Sequence, residues 1–233
     1  MSAVMCFGGD SRMVPVQLGL MDPVQLFSSE SDVLGLRLNL LYGNNRNFSG
    51  LDVGLFNDVE KSFSGIGIGG LMNASEQAKG LYLAGAGNIT ADGMSGIEIA
   101  GFMNLFSDAS VKKTSTWRGV QLSSLVNASV VMRGVQVCGL GNMADNMKGI
   151  ELAGMGNFVD TVSGFQFAGM VNLGWDVEGL QIAGLYNRAY RIKGLQLGLV
   201  NRTSEMHGVQ IGLVNIIRSK LSTSVLPIVN MEF

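Results

Sequence analysis

Proline, charged residues and chemistry-bearing side chains are all scarce in this 233-residue chain. It has three prolines, two cysteines and one histidine, and only 15% of its residues are charged, for a formal net charge of −2. Each shortage excludes something. Without an excess of Lys and Arg there is no basic footprint, so nucleic acid is not an expected partner. Cys6 and Cys138 are distant in sequence and form neither a CxxC pair nor the dense spacing of a disulfide framework. One histidine and two separated cysteines give no zinc-ligand spacing, so neither a metal nor another cofactor is expected. No run reaches the roughly 18 apolar residues of a membrane-spanning helix. The opening MSAVMCFGGDSRM lacks the basic start and long apolar core of a complete export signal.

Glycine, by contrast, is in excess at 33 residues, beside a 47% share of hydrophobic residues. Glycine costs about 1 kcal/mol relative to alanine inside a helix, so an ordinary helical protein is excluded. The apolar content and low net charge exclude a disordered chain equally well.

The glycines are periodic, and the period organises the whole chain. Twelve copies of a short motif open with Gly and close with Asn, among them GLRLNLLYGN from Gly35, GIEIAGFMN from Gly96, GFQFAGMVN from Gly164 and GVQIGLVN from Gly208. Most copies start 15 residues apart, with single intervals of 14, 16 and 23. The closing residues are Asn44, Asn57, Asn73, Asn88, Asn104, Asn127, Asn142, Asn157, Asn172, Asn187, Asn201 and Asn215. Two residues before each Gly the side chain is apolar, as at Phe48, Phe63, Trp117, Ile192 and Met206. Apolar residues at alternate positions, such as Leu180 and Ile182 around Gln181, signal a strand. Asn tolerates the left-handed conformation and bonds nearby backbone, which suits the end of a strand. The segments that follow it are polar and of turn length. Each repeat is therefore strand plus turn, with no room for a helix. Pro15, Pro23 and Pro227 all lie outside the array, so the backbone amides within it are expected to be paired.

Two all-β architectures fit a strand every 15 residues. One is a β-solenoid of about twelve 15-residue coils, with capping segments at 1–34 and 216–233 around an array at 35–215. The other is an up-and-down transmembrane β-barrel. Three features favour the solenoid. Copies at Gly50, Gly194 and Gly208 are one residue short with both halves of the motif intact, and such a deletion in a straight barrel strand would exchange its two faces. No 30-residue super-period separates two chemically different barrel ends. Four Tyr and two Trp are too few for two aromatic girdles. The solenoid reading makes one structural domain and stacks the asparagines into a ladder of side-chain amides.

Candidate chemistry is sparse. Gly65, Gly67 and Gly70 match GxGxxG only through the repeat's own glycine phase, and no helix follows to receive a pyrophosphate. Asp52, Glu98 and Glu151 are separated by several coils and do not pair as glycosidase carboxylates would. His207 sits at a turn position, with no motif linking it to a cysteine nucleophile. No catalytic residue is expected. Adjacent apolar pairs such as Leu199–Val200 and Leu213–Val214 cannot both point inward from one strand, which suggests an exposed apolar stripe and hence a contact surface. The 23-residue interval carries an insertion at 105–118, where Lys112, Lys113, Trp117 and Arg118 form a candidate partner-binding loop.

The GLQLGLVN and GVQIGLVN repeats, the leading VPVQLGLMDPVQLF and the closing LPIVNMEF resemble a family of bacterial surface repeat proteins known from Leptospira and other bacteria. The resemblance runs from Val14 to the end. It implies a bacterial cell surface or outer membrane and no established activity. The expectation is a non-enzymatic repeat protein, a structural or protein-interaction module of the cell envelope. Its flank would engage a protein partner or a second copy, with membrane association as a further role; an outer-membrane β-barrel is the alternative.

Overall fold

A computed structural model describes residues 13–106, 115–220 and 224–233. Among the described residues there is strand and turn and no helix. The chain packs as two compact units, Met1–Ser123 and Ser124–Phe233.

Within each unit, successive repeats lie parallel and in register, equivalent residue on equivalent residue. In the second unit, Val171–Ala183 runs beside Tyr186–Leu197 with Asn172 opposite Asn187, Gly179 opposite Gly194 and Gln181 opposite Gln196. In the first, Gly87–Ala100 pairs the end of Asp32–Ala84 with Asn73 opposite Asn88 and Gly80 opposite Gly96. Each unit is thus a β-solenoid. The parallel register sets the barrel aside, since consecutive strands of an up-and-down barrel run antiparallel. Direction reverses in one short strand toward each end of the described chain. Val24–Gln25 turns back on Met13–Met21, which itself lies parallel on the first coil, and Val225–Glu232 runs antiparallel along Val200–Ile217.

The invariant glycines are explained by how closely coils approach. Across the repeats their φ lies between +126° and +147°, a region L side chains rarely enter. A Cβ on Gly179 would collide with the carbonyl oxygen of Gly164, one coil below. The apolar residue two before each glycine is buried, from Phe48 and Phe63 through Trp117 to Ile192 and Met206. These side chains form the apolar half of a thin core.

The other half is polar. The strand alternation faces the opposite way from an ordinary amphipathic strand: the residue between the two apolar positions points inward. Gln166, Gln181, Gln196 and Gln210 are all fully buried. Their amides bond along the stack, Gln181 Nε2 to Gln166 Oε1 at 2.8 Å, Gln196 to Gln181 at 2.8 Å and Gln210 to Gln196 at 2.7 Å. A buried amide is tolerated where its partners are supplied, and along the column the neighbouring coils supply them up to Gln210, whose Oε1 ends the chain of bonds without a partner.

The asparagine ladder runs beside this glutamine column. In the second unit Nδ2 donates to the next Oδ1 from Asn127 through Asn142, Asn157, Asn172, Asn187 and Asn201 to Asn215, at 2.8–3.0 Å. In the first it links Asn57, Asn73, Asn88 and Asn104 at 2.9 Å. Most rungs also donate to a strand carbonyl of the next coil, as Asn157 does to Phe167 O at 2.9 Å. Asn44 does not belong to the ladder. It is half-buried and donates to Glu60 Oε1 at 3.1 Å, while Asn39 donates to Asn57 Oδ1 at 3.4 Å in its place. The cause is local: a Cβ on Gly43 would collide with the Asn39 amide, so the space this glycine leaves is filled from four residues earlier.

Short copies lose their residue at a corner. Gly198 stands where the preceding coil has Ala183 and Gly184, and both Gln196 and Asn201 keep their rungs. The one-residue deletion leaves the facing of every later side chain unchanged.

Candidate functional site

Because polar residues fill the interior, the bulky apolar residues are left outside. The first and third residues after each repeat glycine are Leu, Ile, Val or Phe, and they project from the strand surface. Phe165 and Phe167 are 55% and 50% exposed, and Ile97, Ile99, Ile150 and Leu152 are exposed at the same two positions of other coils. The corner adds a third column, with Phe102 in the first unit and Leu140, Met155, Met170, Leu185 and Leu199 in the second. The apolar stripe suggested by Leu199–Val200 and Leu213–Val214 is therefore present and much wider than those pairs alone indicate. Leu199, Leu213 and Val214 are exposed, and Val200 is half-buried.

Charge is absent from this flank. Between each repeat Gly and its closing Asn, charged side chains occur only at Arg37, Asp52, Glu98 and Glu151, and all four are buried. The remaining charges of the array lie in the segments between Asn and the next Gly. Every coil is consequently two-sided, with one arc apolar and the other polar. Isolated exposed apolar residues are ordinary, but contiguous columns of them mark a contact surface.

The four buried charges share the inward column with the glutamines, and each is managed differently. Arg37 grips Asp52 with two bonds, Nε to Oδ1 at 2.8 Å and Nη2 to Oδ2 at 2.6 Å, and donates Nη1 to Asp58 O at 2.9 Å. Tyr82, at the same column position, lays its ring over Gly67, where a Cβ would be 2.5 Å from Cδ1, and packs on Phe63 with ring centroids 4.3 Å apart. Glu98 accepts from Gln121 Nε2 at 3.2 Å and Thr90 Oγ1 at 3.4 Å. Burial pushes its carboxyl up to about 8, against the bonds from Gln121 and Thr90. Glu151 accepts from Gln166 Nε2 at 2.8 Å, and burial lifts it to about 7. A carboxyl in an amide column is accommodated as the neutral acid, close to isosteric with the Gln it replaces.

The remaining sequence candidates are dispersed. Trp117 is buried, 1% exposed, in the apolar column before Gly119, so its ring is turned into the core. Arg118 beside it is exposed. Lys112 and Lys113 lie outside the described residues. His207 is exposed, opposite Lys193 on the adjacent coil. Cys138 is buried several coils away, and burial lifts its thiol to about 11. Among the described residues no group of three or more His, Cys, Asp or Glu stands together as a metal site would. No helix among them is long and apolar enough to cross a membrane. No protein-family model matches the chain, and no curated protein or solved structure matches it either.

Proposed function

We propose that this β-solenoid is a non-enzymatic interaction module that buries its charge-free flank against a second apolar surface, foremost another copy of itself. The observation that carries the reading is the segregation of charge. Exposed Leu, Ile, Met and Phe fill three columns between Gly and Asn, and no charged side chain points outward among them. A stable specific contact needs only about 800 Å² from each partner. The flank is regular, with columns repeating at about 4.8 Å, so two copies can interdigitate side chains of the same pitch. A protein surface is favoured over lipid because the net charge is −2 and no Lys or Arg fringes the apolar columns within the motif, whereas surface elements that bind anionic membranes gain from such a fringe. A place at a bacterial cell surface or outer membrane rests on the resemblance of the GLQLGLVN repeats.

The test is particle mass by light scattering in detergent-free buffer. The expected result is a defined oligomer for the wild type and the 24.7 kDa monomer for a Phe165→Glu, Phe167→Glu double variant, with β-sheet circular dichroism unchanged. A wild type that stays monomeric at about 100 μM, well above the Kd of a standard interface, overturns the proposal. Flotation of a monomeric wild type with lipid vesicles would transfer the flank to a membrane surface and overturn it as well.

A further inference from the structure

The opposite arc of the second unit holds a groove of about 520 Å³, within the usual range of ligand sites. It has no connection with the apolar flank and belongs to the segments after each Asn. Two features of its walls are unexplained by folding.

The first is an open aromatic stack. Trp175 and Tyr190, on adjacent coils, have ring centroids 4.7 Å apart and planes within 11°. Parallel rings that close cannot lie edge to edge, so they overlap face to face. Tyr190 keeps one free face, turned toward the next coil. There the equivalent residue is Ser204, which is too small to cover it. One coil further, Arg218 lines the same groove, its backbone held by Arg218 N to Thr203 O at 3.1 Å. Two coil spacings amount to about 9.6 Å. That leaves a slot for one flat ring, against Tyr190 on one side and the Arg218 guanidinium on the other, the arrangement both π-stacking and cation–π attraction favour.

The second is an uncompensated pair of cations. Arg188 and Arg202 lie directly opposite each other on adjacent coils and line the groove wall beside the slot. Like charges in register destabilise a sheet. Nearby cations are neutralised, Arg191 by Asp176 at 2.6 Å and Lys193 by Glu178 at 3.2 Å. Among the described residues, no carboxylate lies within ion-pair distance of Arg188 or Arg202. The groove's own carboxylates, Asp145 and Asp160, belong to the coils beyond Trp175, on the far side of the aromatic stack.

We infer that the groove binds a nucleotide-like ligand, a flat heteroaromatic ring carrying a phosphate. The ring occupies the slot between Tyr190 and Arg218, and the phosphate bridges Arg188 and Arg202, whose forked donors suit its oxygens.

Trp175 is a built-in reporter, because it is exposed and touches Tyr190 while the only other tryptophan, Trp117, is buried in the other unit. The full chain is titrated with adenosine 5′-monophosphate, adenosine and ribose 5-phosphate, with calorimetry as the second readout. The expected result is saturable quenching by the monophosphate, with each half-ligand at least about tenfold weaker. Arg188→Gln with Arg202→Gln is expected to weaken the monophosphate about tenfold and leave adenosine unchanged, and Tyr190→Ala to weaken both. Arg188 and Tyr190 are exposed and Arg202 is half-buried, so unchanged circular dichroism checks the fold. No saturation by the monophosphate up to about 10 mM overturns the inference. So does equal binding of ribose 5-phosphate that Tyr190→Ala does not alter, which would make the site an anion site alone.

Discussion

Replacing Glu98 by Gln tests whether the interior column accepts a carboxyl only in its neutral form. Glu98 is fully buried with two acceptor contacts, and its carboxyl titrates at about 8 in the folded chain against 4.5 for the ordinary group. The folded state therefore holds a proton that the unfolded state has released throughout that interval. Stability is fully present below the unfolded value and falls as pH rises toward 8, because more protons are bound in the native state. Over that interval, at about 1.4 kcal/mol per pH unit, the loss is on the order of 5 kcal/mol between acid and mildly alkaline pH. In the Glu98→Gln variant the amide oxygen keeps the bond from Gln121, the amide nitrogen donates to the Thr90 hydroxyl in place of the second carboxyl oxygen, and there is no titrating proton to lose. The assay is urea unfolding at about pH 5 and about pH 9, read from buried Trp117, which lies in the same strand as Gln121, in a Trp175→Phe background. The wild-type midpoint should fall markedly over this range, and the Glu98→Gln midpoint should fall by that much less. Glu151, lifted to about 7, belongs to the second unit and is the same in both proteins, so it leaves their difference unchanged. Parallel pH curves for the two proteins would refute the reasoning, since they would mean that Glu98 is already ionised in the fold.

Removing a rung from the asparagine ladder should be far more damaging than removing the repeat asparagine outside it. Asn172 donates to Ile182 O at 2.8 Å and Asn187 Oδ1 at 3.0 Å and accepts from Asn157 at 2.9 Å. Asn172→Ala is expected to cost about 3–5 kcal/mol in a urea titration, counting about 1 kcal/mol per bond and the dipoles left unmet. Asn44→Ala, at a half-buried position whose one side-chain bond is the exposed one to Glu60, should cost no more than about 1 kcal/mol. Gly179→Ala sets a Cβ against a backbone oxygen at a φ of +139°, and a loss of at least about 3 kcal/mol is expected in the same titration.

The architecture is readable from the chain because its strictest constraints are steric and repeat every coil. The glycine at φ near +140° and the amide that must meet its copy one coil away admit one residue type each, so they stand out as fixed letters. The apolar column from Phe48 to Met206 is legible for the same reason. Direction is not legible. Leu180, Gln181 and Ile182 alternate identically whether the leucine or the glutamine faces inward, and periodicity carries phase without sign. What decides it is the glutamine above and below, a partner 15 residues away that a local reading treats as solvent. Asn44 shows the converse: the motif ends in Asn, but Gly43 leaves space that Asn39 fills from inside. The groove is invisible in the sequence because Trp175, Tyr190, Ser204 and Arg218 share only a coil position, one where the repeat imposes no residue type.

The corner at which Gly198 does alone what Ala183 and Gly184 do together has a consequence for heredity. A three-nucleotide deletion falling there is erased within a single turn of the chain, whereas the same deletion inside Leu195–Leu197 would invert a face and strand a glutamine among hydrocarbon. Recombination between copies likewise adds or removes whole turns whose repeat glycine and closing asparagine meet the same letters on either side. A gene of this kind can change in length by slippage, and each product of the slippage still encodes a stack in register.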